Sequence, residues 1–155
     1  MKETACCFTG HRAIPAAEAE RLARKLDETL RALYARGYRQ FCCGGALGFD
    51  TMAERAVLRL KETCPDAALL LFLPYPEQDG NWRAEDRAEY RRILSLADAV
   101  SYASEGYTAG CMHARDRQLA DAASVCVAYL VRPSGGTFYT VCYARRNGLE
   151  IVNLA

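Results

Sequence analysis

No apolar run in this chain approaches the ~20 residues that a membrane-spanning helix needs. The opening stretch, MKETACCFTGHR, carries one lysine and then a short apolar run, without the extended core of a secretory leader. Both absences point to a cytoplasmic protein with no membrane partner. A surplus of positive charge is missing too: 20 Lys and Arg stand against 19 Asp and Glu, a formal net charge of +1. Proteins held on nucleic acid by phosphate neutralisation carry a basic excess, so a nucleic-acid partner is not expected, although a local anion site is compatible with this balance. There are eight cysteines but no Cys-x-x-Cys pair, which removes the usual zinc and thioredoxin spacings. Four of them form the vicinal pairs Cys6-Cys7 and Cys42-Cys43 inside apolar runs, where a free thiol packs as a small hydrophobe. No metal site is expected. Neither G-x-G-x-x-G nor G-x-x-x-x-G-K-[ST] occurs, which removes the ordinary NAD and P-loop fingerprints.

What is present is an ordinary globular composition, 51% hydrophobic and 25% charged. A chain of 155 residues fits a single domain spanning 1–155, able to bury about 68–70% of its unfolded surface. Short apolar runs at 4–9, 38–43, 67–73, 99–103, 125–131 and 149–154 read as strands. Most lack clean alternation, as expected of strands buried on both faces. Between them lie helical patterns. Pro15 suits a first helical turn, and Leu22, Leu26, Leu30 and Leu33 recur at helical spacing until Gly37. Phe49, Met52, Ala53, Ala56, Val57 and Leu60 form a second stripe. Further helices are expected from near Trp82, over 111–123 and over 137–146. Six strands alternating with five helices predict consecutive βαβ units: a Rossmann-like three-layer α/β/α fold with a mostly parallel sheet.

The connections are of two kinds. Helix-to-strand links are short and plain, whereas strand-to-helix links are long and rich in glycine and polar residues. In a parallel sheet every strand-to-helix loop lies on the carboxyl edge, where open α/β sheets bind ligands. Gly44, Gly45 and Gly48 before the second helix, and Gly135, Gly136 and Thr137 before the fifth, are suited to bring backbone N–H groups to an anion at a helix N-terminus. Turn formation or helix capping, by Thr137 for instance, satisfies the same backbone need. Arg12, just after Thr9-Gly10 at the end of the first strand, is placed to grip phosphate or carboxylate with two prongs. His11 fits either a ligand hydrogen bond or a capping role. Asp50 fits either a helix-start residue or an acceptor from a ribose hydroxyl. Arg115 and Asp116 fit either a ligand site or a solvated ion pair. Trp82 and Tyr107 offer either base stacking or packing.

Taken in order, Thr9-Gly10-His11-Arg12, the segment 44–50, the spaced set Pro74, Gln78 and Trp82, the helical set Met112, Arg115, Asp116 and Asp121, and Gly135-Gly136-Thr137 resemble the SLOG superfamily (Smf/DprA and LOG related), and within it the YpsA-like branch. The resemblance covers nearly the whole chain. It implies a Rossmann-like fold that binds a nucleotide or nucleotide-derived small molecule, as a sensor or regulatory module, with Pro74, Gln78 and Trp82 joining the site. No cofactor beyond that ligand is implied, and a homodimer is compatible. LOG enzymes hydrolyse the N-glycosidic bond of nucleoside monophosphates through P-G-G-x-G-T-x-x-E; here Thr140 stands where the acid would be. A threonine supplies no carboxylate to stabilise an oxocarbenium-like state or activate water, so binding leads, with phosphoribohydrolase activity and DprA-like binding of single-stranded DNA as the alternatives.

Overall fold

A computed structural model describes all residues, Met1–Ala155. After a single 3-10 turn, strands and helices alternate: β1 (Ala5–Gly10), α1 (Ala16–Ala35), β2 (Gln40–Cys43), α2 (Phe49–Thr63), β3 (Ala68–Leu73), α3 (Ala84–Leu96), β4 (Ala99–Tyr102), α4 (Cys111–Asp121), β5 (Val125–Tyr129), α5 (Gly135–Arg146) and β6 (Glu150–Asn153). All strand pairs are parallel, in the order β4-β3-β2-β1-β5-β6. This is the Rossmann-like α/β/α arrangement that the alternation predicts.

The strand order explains the two layers. Stepping outward from β1 to β4, right-handed crossovers put α1, α2 and α3 on one face. Returning to pair β5 against the other side of β1 reverses the direction, so α4 and α5 fall on the opposite face. Leu22, Leu26, Leu30 and Leu33 of α1 are buried with Phe8, Phe41 and Phe49 in the larger core, each leucine contributing about 1.5–3 kcal/mol. The smaller core, under α4 and α5, holds Cys7, Cys42, Cys126, Leu119, Ala120 and Ala144. The vicinal cysteines thus point to opposite faces, Cys6 and Cys43 into one core and Cys7 and Cys42 into the other. All eight thiols are free, and burial pushes Cys42 up to about 12.

Three expectations need correction. Burial on both faces holds for β1, β2 and β5, but all four residues of β4 are exposed. β4 is a sheet edge, and α4 packs chiefly on β1 and β3. The third helix starts at Ala84, not Trp82, because 74–83 form turns in which Trp82 N–H donates to Asp79. The fifth begins at Gly135, so Gly135 and Gly136 form its first turn and Thr137 sits inside the helix instead of capping it.

Candidate ligand site

The strand order reverses between β1 and β5, and at this switch point the loops leaving the two strands part and open a crevice. A cavity of about 450 Å³ lies there. From the β1 side it is lined by Thr9, Gly10, His11 and Arg12, from α2 by Asp50, and from the β3–α3 loop by Gln78. Arg115 and Asp116 of α4 and Gly135, Gly136 and Thr137 of α5 complete the predicted part of the wall. Gly44, Gly45, Gly48, Pro74 and Trp82 do not line it. Seven other residues on its wall were not among the expected site residues, namely Phe8, Ala46, Met112, His113, Leu119, Arg132 and Ser134, although Met112 belongs to the set that carries the resemblance.

The segment 44–48 is a rigid wall rather than the expected anion cradle. Two of its N–H groups are taken by the protein's own carboxylates: Gly45 N–H donates to Glu54 Oε2 at 3.1 Å and Ala46 N–H to Asp50 Oδ2 at 3.1 Å. The Gly45 carbonyl accepts from Gln78 Nε2 at 3.0 Å, and that amide also donates to Tyr90 Oη at 3.2 Å. Arg115 Nη1 donates to the Gly44 carbonyl while its Nε donates to Asp116 Oδ1 at 2.8 Å, both side chains being buried. Burial raises Glu54 well above the usual carboxylate range and Asp50 to about 6, the latter opposed by the Arg115 charge. Asp50 Oδ1 has no partner. Gly48 has φ 82°, and a Cβ there would drive into the Arg12 carbonyl; Phe49 N–H meanwhile donates to the His11 carbonyl at 3.2 Å. These contacts press the 44–48 segment against the loop after β1.

The opposite wall is built differently. His11 is buried, and its Nε2 accepts from Val131 N–H at 3.0 Å, tying the loop after β1 to the loop after β5. Its ring sits edge-on to Tyr129, with centroids 6.0 Å apart. Burial, followed by the nearby Arg132 charge, lowers its basicity, consistent with a neutral ring that accepts. α5 begins with no side-chain cap from Ser134, so the first-turn N–H groups face the cavity without a side-chain acceptor. Arg12 and Arg132 are exposed, and neither has an ion pair or a hydrogen-bond partner for its guanidinium. Thr140 points elsewhere: it is buried, and its hydroxyl donates back to the Gly136 carbonyl at 2.9 Å.

The aromatics first considered for stacking are engaged away from the cavity. Trp82 lies edge-on to Tyr90 at 5.1 Å and Tyr107 edge-on to Tyr75 at 5.8 Å.

A family model described as the YspA SLOG family matches residues 7–130, from within β1 to one residue past the end of β5. The chain belongs to that family. Among curated relatives, a UPF0398 protein of Halalkalibacterium halodurans is 32% identical over 79 residues, covering 51% of this chain and 42% of that protein. A UPF0398 protein of Bacillus cereus is 32% identical over 81 residues, covering 52% and 44%. The chain thus matches less than half the length of these relatives. Among solved structures, DNA processing protein A of Streptococcus pneumoniae superposes with a TM-score of 0.67 at 15% identity, covering 97% of this chain and 50% of that one. The Helicobacter pylori protein of the same name, described for its single-stranded DNA binding mode, gives 0.67 and 15%, covering 97% and 64%. At that identity the likeness is one of fold. No helix of this SLOG chain is long and apolar enough to cross a membrane.

Proposed function

We propose that this SLOG chain binds a nucleotide or nucleotide-derived ligand in the crevice between β1 and β5, with the ligand's phosphate on the first turn of α5. The observation that carries this reading is the pair of unpartnered guanidiniums, Arg12 and Arg132, beside the uncapped N-terminus of α5. A helix N-terminus presents unsatisfied N–H groups and about half a positive charge. Two free arginines in the same cavity add charge-assisted donors suited to phosphate oxygens. Asp50 and Gln78, on the far side, offer polar groups to a sugar. Thr140, turned into its own helix, leaves position 140 without the acid of a LOG-type hydrolase.

The test is a thermal-shift panel followed by calorimetry. Nucleoside monophosphates, ADP-ribose, ribose 5-phosphate and a short oligodeoxythymidylate all carry phosphate and separate the ligand classes. A ligand at ~100 times its dissociation constant adds roughly 2.7 kcal/mol, a shift of several degrees for a chain of this size. The nucleotides are expected to shift melting, and the matching uncharged nucleosides, run beside the panel as controls, are not. A panel silent at millimolar concentration overturns the reading.

A further inference from the structure

Beyond the phosphate cradle, the cavity has one flat, braced wall. His113 stands in the first turn of α4, lines the cavity and is exposed. Its imidazole lies face-to-face on Tyr139 of α5, with centroids 4.1 Å apart and planes within 12°. Tyr139 stands outside the cavity and is itself held: its Oη accepts from Arg117 Nη1 at 2.9 Å. Behind it, Tyr143 lies nearly parallel at 6.5 Å, its hydroxyl donating to Asp121 Oδ1 at 2.8 Å. A ladder of rings therefore spans α4 and α5 and fixes the imidazole plane. One face of that imidazole is covered by Tyr139, while His113 itself is exposed and lines the cavity.

A surface histidine ordinarily keeps rotamer freedom, and ordering it on binding costs entropy. Here the ring is ordered beforehand, the condition under which stacking contributes most to affinity. Met112, half-exposed beside it on the same wall, adds a polarisable thioether suited to a ring edge. The cradle at Gly135–Gly136 lies about one helical turn from Tyr139 along α5, a separation on the order of 5 Å that leaves room for a sugar between phosphate and base.

We infer that the free face of His113 is the nucleobase platform of this site, so that the ligand class is a base-bearing nucleotide and not a sugar phosphate. The inference rests on the phosphate reading above, and the experiment separates the two. AMP and ribose 5-phosphate share the phosphate and sugar and differ in the base. AMP is expected to bind roughly 5- to 150-fold more tightly, the range for one stacked base. His113→Ala brings AMP down to the affinity of ribose 5-phosphate and leaves the latter unchanged, while His113→Phe, which keeps a stacking ring, retains most of the difference. The chain has only two histidines, so a nuclear magnetic resonance spectrum of the imidazole protons resolves both. AMP moves the His113 signals upfield by ring current and ribose 5-phosphate does not, whereas His11, on the phosphate side of the same cavity, responds to both compounds alike. Equal affinity for the two compounds, or an affinity ratio that survives His113→Ala, overturns the platform while leaving the phosphate reading intact. Binding of neither compound removes both.

Discussion

Arg12 is exposed and unpaired, while the backbone on either side of its loop is fixed by the His11–Val131 and His11–Phe49 hydrogen bonds. Removing the guanidinium therefore takes away a ligand contact and little of the fold. Charge-assisted hydrogen bonds are worth about 1.5–3 kcal/mol, so Arg12→Ala is expected to weaken nucleotide affinity roughly 10- to 100-fold with almost no change in melting temperature. Arg12→Lys recovers only part, because an ammonium lacks the two-pronged geometry. Calorimetric titration and a melting curve on each variant check this, and a large melting loss with affinity intact would return Arg12 to the scaffold. Asp50 gives a prediction of opposite kind. Its folded pKa is raised from 3.8 to about 6 by burial, and buried Glu54 beneath it is raised too. The folded state therefore holds protons that the unfolded chain has released. Stability is expected to rise as pH falls from about 7 towards 4, for Asp50 alone by roughly 1.3 kcal/mol down to pH 5, with a ceiling of ~3 kcal/mol that is approached only below its unfolded value. Below about 4 the trend reverses, because Glu89, held at about 2 chiefly by Arg92 and then Arg55, loses its ion pairs on protonation. Urea denaturation across this range is the measurement. Asp50→Asn should flatten the rise, and an unchanged slope would rule out Asp50 as its source.

At the level of elements, the loop joining β2 to α2 owes its shape to Gly48. With φ 82° and the Arg12 carbonyl against it, Gly48→Ala is expected to cost more than ~1 kcal/mol. Gly106→Ala, with open space around it, should be near neutral; equal denaturation midpoints for the two would show that the clash relaxes freely. On α5, Thr140 bonds its own helix and does not reach the cavity. Negligible release of free adenine from AMP is therefore expected by chromatography, and turnover abolished by Asp50→Asn would assign the chemistry to that carboxylate instead. The elements themselves were legible in the sequence because βαβ units write themselves as apolar runs between helical stripes. The site was legible only where glycine or a charged residue broke the pattern at a strand's carboxyl end. His113 and Glu54 carried no such mark, and Arg132, which did, was passed over. Two signals were available: His113 shares the first turns of α4 with Arg115 and Asp116, and Arg132 lies three residues past the end of β5. Trp82 and Tyr107 misled because an aromatic near a functional loop looks the same whether it meets a ligand or another ring. The exposure of β4 was also out of reach, since short apolar runs do not say which strand lies at the edge.

For the whole molecule, the strand order makes β1 the centre of the sheet, with β2 on one side and β5 on the other. Its partner on one side follows promptly in the chain, whereas Cys6 pairs with Val125 on the other, a separation of roughly 120 residues and hence a slow, non-local closure. A ribosome working at about 5–20 residues per second needs some 6–24 s to travel from one strand to the other. Throughout that interval the wall of β1 that will border the crevice has no neighbour. Neither Val131, the donor that steadies His11, nor the first turn of α5 has yet been made. A growing chain therefore cannot use its ligand as a folding aid until five of its six strands exist.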